Sequence, residues 1–384
     1  MKVLEGGWPK EAQFEPTFRG REYYDPDHFE KELEKIWFKT WLCAGREEEI
    51  PNKGDFFTIK IGGENLICIR AIDGSVSTFY NVCRHRGSVL CEEEKGNFKN
   101  GFMTCFYHSW TYSSNNGDLL GTPNIPNKDP NFRKCDHPLH TVKTETWDGY
   151  IWINMDPDAP SLKESFKLPD SWALYQNYQM SELKLGAEKT YHVKANWKLL
   201  MENASECYHC GNIHPGLGNA TPPNQPRALI DPSIPGTKVI KHVGGMTLRD
   251  GFDRVNLDGK AYRPNFEGIS EEDQRKIYYL HIYPHSYICM ASDYVFITTM
   301  FPIKPDETLV KAYWLFDPMV LESENPSIQD AIDVWDITST EDWRAAELAQ
   351  IGNQSRVYKE GGVYTPIDWR VANFKRYVYS ELEK

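Results

Sequence analysis

The stretch that decides the fold is Cys83-Arg84-His85-Arg86-Gly87, answered further along by Cys105-Phe106-Tyr107-His108-Ser109-Trp110. Each stretch offers one soft thiolate and one imidazole from a short loop. Zinc also takes two Cys and two His, but its usual finger keeps a Cys pair apart from a His pair. One of each per loop suits instead a [2Fe–2S] cluster in which two imidazoles replace two thiolates on one iron and raise the potential. Trp110 and Tyr112 follow the second pair, where an indole can exclude water and a phenol can hydrogen-bond a sulfur. A cluster of this kind passes single electrons, so the chain is expected to hold an acceptor.

The 384 residues carry 43 Lys and Arg against 55 Asp and Glu, a formal net charge of −12. An acidic surface argues against nucleic acid and anionic membrane as partners. The length suits two or three domains. No window approaches ~20 apolar residues and the first residues lack the apolar run of a signal peptide, so a soluble, cytoplasmic protein in a reducing compartment is expected. The nine Cys show no disulfide rhythm. Cys207 and Cys210 read as small, buried, apolar residues.

Residues 25–40 carry an amphipathic helix pattern, with Phe29, Leu33, Ile36 and Trp37 as its stripe and Asp25 or Asp27 as its cap. Short β-type runs follow: FFTIKI, NLICIRAI and VSTFYNV, the last leading straight into Cys83, with EKGNFKNG (94–101) as a polar loop and GYIWINMD (149–156) closing the region. The Pro- and Asp-rich segment 156–171 reads as a linker, and residues 219–275 as loops wandering over an active site. Strand-type runs IYYLHIYPHSYICMA, YVFITTMFPI and LVKAYWLFDPM precede helices over 326–352 and 368–383. The expected fold class is α+β. An N-terminal helical segment (1–41) packs with the catalytic domain, an all-β cluster domain spans 42–158, and a catalytic domain (159–384) grips a long helix in a curved antiparallel sheet.

A second constellation is ENASECYHCGNIHP (202–215). On an ideal helix His209 and His214 lie ~140° apart, so one ion can hold both only where the helix breaks; Gly211-Asn212 offers a break and Pro215 blocks continuation. Glu206, three residues before His209, can orient that ring. Two His with one carboxylate make the facial triad of non-heme Fe(II), with positions left for dioxygen. The helix over 326–352 offers Asp330, Asp333, Asp336, Glu341, Asp342 and Glu347 as that carboxylate, and spacing alone does not choose among them.

The chain resembles the catalytic (α) subunit of Rieske non-heme iron oxygenases over nearly its full length. The matching pieces are NVCRHRG with CFYHSWTY, ENASECYHCGNIHP, and EDWRAAELAQIG. The resemblance implies a Rieske cluster on Cys83, His85, Cys105 and His108, and iron on His209, His214 and Asp342. It places Glu206 as the acidic residue that bridges the two metal centres across a subunit boundary. The 19 residues between His85 and Cys105 are more than the family usually has, Phe106 stands for its usual Pro, and Ser109 for its usual Gly. Glu at the bridging position, with GTPN, ANWKLL and ECYHC, is similar to the branch acting on carnitine, glycine betaine, choline or proline betaine.

That resemblance implies a terminal monooxygenase. NAD(P)H would feed a separate flavin/iron–sulfur reductase, which reduces the Rieske cluster, and Glu206 would carry the electron to iron in the next subunit of a homotrimer. Dioxygen is the cosubstrate, and C–H hydroxylation of an N-methyl group gives demethylation or C–N cleavage. The alternatives are a ring-hydroxylating dioxygenase or O-demethylase of the same family, and, in another class, a Rieske electron carrier, which would need only one small domain. The aromatics of the late strands, Tyr278, Tyr279, Tyr283, Tyr287, Tyr294, Phe296, Phe301, Trp314 and Phe316, fit a sheet core, and none is singled out as a substrate contact.

Overall fold

The computed structural model describes residues 12–125, 130–166, 173–222, 228–230, 240–324 and 327–384. Parts of the segments read above as linker and loops, 167–171, 223–227 and 231–239, lie outside them. The chain divides into two compact units, Phe38–Leu162 and a second made of Met1–Trp37 with Lys163–Lys384.

The Phe38–Leu162 unit is all β apart from short turns of 3-10 helix. Seven antiparallel strands lie in the order Leu42–Arg46, Tyr150–Asn154, Thr141–Trp147, Val76–Tyr80, Glu64–Arg70, Asp55–Ile61 and Lys95–Asn97. The last strand comes from the segment read as a polar loop; its backbone pairs with Asp55–Phe57 while its side chains stay exposed, so composition hid it. A three-stranded sheet of Phe102–Thr104, Thr111–Ser113 and Leu119–Gly121 completes the unit. Ile67, Ile69, Phe79, Met103, Trp110 and Tyr112 share one core with Cys83 and Cys105.

In the other unit, seven antiparallel strands run in the order Lys184–Val193, Glu307–Phe316, Val295–Lys304, Ser286–Met290, Lys276–Ile282, Ile240–Thr247 and Ala228–Ile230. Register shifts at Leu185/Ala187, Ile240/His242 and Pro302/Lys304 mark irregularities of the bulge type in three strand pairs. Two of these strands fall within 219–275, so that stretch is not all loop; its Gly and Asn content masked them. The run 277–291 is likewise a hairpin rather than one strand.

Helices of this unit are named here α1 (Pro26–Lys35), α2 (Trp197–Ala204), α3 (Cys210–Ile213), α4 (Pro215–Ala220), α5 (Gln329–Asn353) and α6 (Trp369–Leu382). Asp25 caps α1 by accepting from the Asp27 and His28 amides, with Pro26 at the first position. Helix α5 lies against the sheet: Trp335 stacks on Phe296 at 4.8 Å and donates to Tyr294 Oη at 2.8 Å, and Trp314 donates to the Ala331 carbonyl at 3.0 Å. Glu32 of α1 is fully buried, 2.5 Å from Lys198 Nζ and 2.8 Å from Trp197 Nε1, and ties α1 to α2. Among the described residues no helix is long and apolar enough to cross a membrane.

Candidate metal centres

The two Cys–His loops are built alike. Val76–Tyr80 feeds the first, and the hairpin between Phe102–Thr104 and Thr111–Ser113 makes the second. In each, the Cys amide bonds a carbonyl five residues on: Cys83 N to Ser88 O and Cys105 N to Trp110 O, both 2.8 Å. A second bond returns to each Cys carbonyl, from Gly87 N at 3.0 Å and Ser109 N at 2.9 Å. Both donors need left-handed backbone, φ +71° at Gly87 and +55° at Ser109. Gly adopts that freely, whereas Ser109 does so at a cost of roughly 1–2 kcal/mol.

The paired loops bury both thiols and leave both imidazoles exposed. His85 Nδ1 and His108 Nδ1 lie 3.2 Å apart, and Trp110 stacks on His85 at 4.8 Å. Tyr112 Oη accepts from Arg84 N at 3.0 Å, so its proton is directed at Cys83 Sγ, 3.3 Å away. Burial raises the Cys83 thiol pKa, against this hydrogen bond. Two buried sulfurs and two converging ring nitrogens are the donor set of a mixed-ligand [2Fe–2S] cluster.

The second site forms where α2 stops. Ser205 caps α2, residues 205–209 turn, α3 makes a single turn, and His214 leaves helical geometry at φ −117°, ψ 67° before Pro215 starts α4. The breaks therefore flank α3, and Gly211-Asn212 lie inside it rather than at the break. His209 and His214 bracket the turn with ring centroids 5.1 Å apart, and Asp342 rises from α5 to meet both. Asp342 Oδ1 lies 2.9 Å from His214 Nε2 and 3.3 Å from His209 Nε2. The outer nitrogens face carboxylates: His209 Nδ1 is 2.5 Å from Glu206 Oε1, and His214 Nδ1 is 2.8 Å from Glu341 Oε2. Two Nε2 atoms and one carboxylate oxygen thus converge, with each ring held from behind, as in a 2-His-1-carboxylate centre.

The remaining acidic residues of α5 are engaged elsewhere. Asp330 binds Arg263, Asp333 accepts from Gln329, Asp336 meets Lys189 and Tyr191, and Glu347 accepts from Lys194 N. Burial opposes charge on His209, but Asp342 and Glu206 outweigh it and raise its pKa to about 9. For His214 burial likewise opposes the charged form and Asp342 and Glu341 raise the pKa; for Asp342 burial is outweighed by the two histidines, which lower it.

Cys207 and Cys210 are joined by a disulfide, with Cys207 half-buried and Cys210 buried, so their reading as two small apolar residues is corrected. A C-x2-C pair at the start of a one-turn helix brings its sulfurs together. Two contributions escaped the sequence. Glu341 stood only as one of six candidate ligands, and Tyr287 as one of nine strand aromatics. Burial first, then the nearby charges of Cys289 and Asp342, push the Tyr287 phenol up, and its ring lies 6.1 Å from that of His281.

Residues 40–144 match the Rieske [2Fe–2S] domain, and residues 180–383 match the catalytic domain of the ring hydroxylating alpha subunit. This chain belongs to the ring hydroxylating alpha subunit family. It is a Rieske-type oxygenase, an oxidoreductase with an iron–sulfur domain and a non-heme iron catalytic domain. The glycine betaine monooxygenase oxygenase subunit of Pseudomonas aeruginosa is 33% identical over 382 residues, covering 94% of this chain and 87% of the relative. The carnitine monooxygenase oxygenase subunit of Escherichia coli is 30% identical, covering 92% and 88%. The solved structure of a quaternary ammonium Rieske monooxygenase superposes with a TM-score of 0.79 at 25% identity over 99% of both chains.

Proposed function

We propose that this alpha subunit hydroxylates a C–H bond of a small quaternary ammonium compound, leading to N-demethylation or C–N cleavage. The observation that carries this reading is the meeting of His209, His214 and Asp342 around one point, in a chain whose full-length relatives are glycine betaine and carnitine monooxygenase subunits. On this reading Cys83, His85, Cys105 and His108 hold the Rieske cluster and His209, His214 and Asp342 hold one Fe(II), which supplies dioxygen activation when bound. Glu206 orients His209 through Oε1, its Oε2 accepts from the Tyr208 and His209 amides, and the same carboxylate meets an incoming imidazole of a neighbouring subunit. A reductase using NAD(P)H supplies electrons, the assembly is a homotrimer, and the protein works in the cytoplasm. Tyr287 is close enough to Asp342 to feel its charge, and aromatic rings attract a quaternary ammonium group.

The test is formaldehyde release during reductase-driven turnover on a panel of betaines and of methoxyaromatics, with iron counted per chain. Release from betaines alone, with two irons from the cluster and one more that Asp342→Asn removes, supports the reading. Release from methoxyaromatics alone would turn it to O-demethylation, and a count of two irons would leave only an electron carrier.

A further inference from the structure

The disulfide between Cys207 and Cys210 spans the iron-site residue His209 and does nothing in the function proposed above. Cys210 is buried, 7% exposed, whereas Cys207 is half-buried and the intervening Tyr208 is exposed. The buried sulfur lies at the metal site, with Cys210 Sγ 3.9 Å from His209 Nε2. That sulfur and one ring nitrogen from each of His209 and His214 all fall within 4.8 Å of one another. Asp342 Oδ1 lies 3.3 Å from His209 Nε2 and 2.9 Å from His214 Nε2. Nitrogen, oxygen and sulfur donors held at about 2.0–2.3 Å by one tetrahedral ion stand roughly 3.3–3.8 Å apart. The four donors therefore have close to the spacing of one closed site, and the disulfide is what withholds the sulfur.

We infer that reduction of this disulfide turns the three-ligand iron site into a four-ligand zinc site made of Cys210, His209, His214 and Asp342. The inference rests on the oxygenase reading above and adds to it a control over which metal is held. An open set of two imidazoles and one carboxylate suits non-heme Fe(II). A thiolate added to it closes the shell, and Cys, His and Asp together are donors that zinc takes in four-coordinate sites.

Reduction needs an outside reductant, here a small dithiol. Its thiolate attacks Cys207, the more accessible sulfur, which breaks the Cys207–Cys210 bond and expels the Cys210 thiolate. Its second thiol then releases Cys207. Two electrons and two protons pass to the cysteine pair, and the dithiol is left as its own disulfide. When zinc takes up the Cys210 sulfur, the thiol proton goes to water. In the cytoplasm proposed above, a disulfide is usually transient and redox-responsive rather than structural.

The experiment uses the full chain, with the cluster in place and the mononuclear iron removed by chelation. The protein is taken oxidised, and again after reduction with dithiothreitol that is then removed anaerobically. Competition with a chromophoric chelator measures zinc affinity, and Co(II) is a visible substitute whose thiolate charge-transfer band reports sulfur ligation. Reduction is expected to raise zinc affinity by more than about 100-fold, because a direct ligand contributes more than the outer partners of a ligand do. The cobalt band appears only after reduction. Cys207→Ser, which frees Cys210 permanently, binds zinc tightly and shows the band in both states. Cys210→Ser loses the same disulfide but does neither in either state, which separates a new ligand from a loosened loop. Equal zinc affinity in the oxidised and reduced wild type, or a gain that survives in Cys210→Ser, overturns the inference. If either variant does not fold, the wild-type cobalt band decides: it must be absent before reduction and present after it. Failure of the oxygenase reading appears separately, as two irons per chain in the oxidised protein, whatever zinc does.

Discussion

Removing Glu341 should weaken the mononuclear metal without removing a ligand. Its Oε2 lies 2.8 Å from His214 Nδ1, and the opposite nitrogen of the same ring lies 2.9 Å from Asp342 Oδ1. The carboxylate thus fixes the ring's tautomer and makes its inner nitrogen a stronger donor. Carboxylates in this position typically contribute 10–100-fold to metal affinity, about 1.4–2.7 kcal/mol. The Glu341 side chain is 29% exposed, so water screens part of the effect, whereas Glu206 behind His209 is only 16% exposed and closer, at 2.5 Å. Glu341→Ala is therefore expected at the low end, about tenfold or ~1.4 kcal/mol. Glu341→Gln keeps an acceptor for Nδ1–H and should lose only about threefold, while Glu206→Ala should lose several tens-fold. Anaerobic competition between the protein and a chromophoric Fe(II) chelator measures all three. Wild-type affinity in Glu341→Ala would refute the argument from one side. A loss as complete as that of Asp342→Asn would refute it from the other, because Glu341 would then be a ligand.

Iron affinity should rise with pH up to about 9, because the metal must displace the proton that Asp342 and Glu206 hold on His209. The metal-free protein should show the opposite trend: with the folded pKa above the unfolded value, His209 contributes stability fully below about pH 6.5 and loses it as pH rises to about 9. Chelator competition and metal-free urea melts at several pH values test the pair, and a flat affinity profile would contradict it. Glu32→Gln leaves the fully buried Lys198 ammonium without its partner and should destabilise the catalytic unit by about 3–5 kcal/mol, read from urea denaturation followed by far-UV circular dichroism. Tyr112→Phe removes a hydrogen bond to the Cys83 sulfur, which favours the more negative reduced cluster. A cost near 1 kcal/mol corresponds to a potential roughly 40 mV lower, measured by spectroelectrochemical titration, and an unchanged potential would exclude the bond.

The cluster domain was legible because its chemistry is local. Each ligand pair sits in one loop, and the β-type runs around it alternate in polarity. What stayed hidden depended on partners distant in the chain. Lys95–Asn97 is a strand only because Asp55–Phe57 offers its edge, and nothing in KGN says so. Six acidic residues on α5 looked alike until the sheet and its neighbours fixed the helix rotation. Arg263, Lys189 and the Lys194 amide then engage three of them on other faces, and Glu341 and Asp342 face the histidines. The helix break was expected from composition at Gly211-Asn212. The chain breaks instead on both sides of α3, after Ser205 and at His214, whose non-helical ψ of 67° precedes Pro215.

The two histidines of the iron site are not equivalent, and the difference bears on how electrons arrive. His214 is 1% exposed and backed by a residue of α5, so its outer edge leads back into the same helix that supplies Asp342. His209 has a side chain 20% exposed, is backed by Glu206 on the turn after α2, and borders a solvent-open cavity. On the proposed function an electron donor from outside the unit approaches His209 through Glu206, where this cavity opens. The cluster unit has the matching asymmetry, with sulfurs buried and both imidazole edges exposed. On the proposed function an exposed imidazole that donates a hydrogen bond is a fitting partner for the Glu206 carboxylate at the cavity edge. Glu206→Gln should consequently slow oxidation of the reduced cluster far more than it weakens iron, whereas Glu341→Gln should do the reverse. Rapid mixing of reduced protein with dioxygen and substrate, set beside the chelator titrations, separates the two. Equal effects of both variants on cluster oxidation would mean that the two histidines are interchangeable as entry points, against what their surroundings imply.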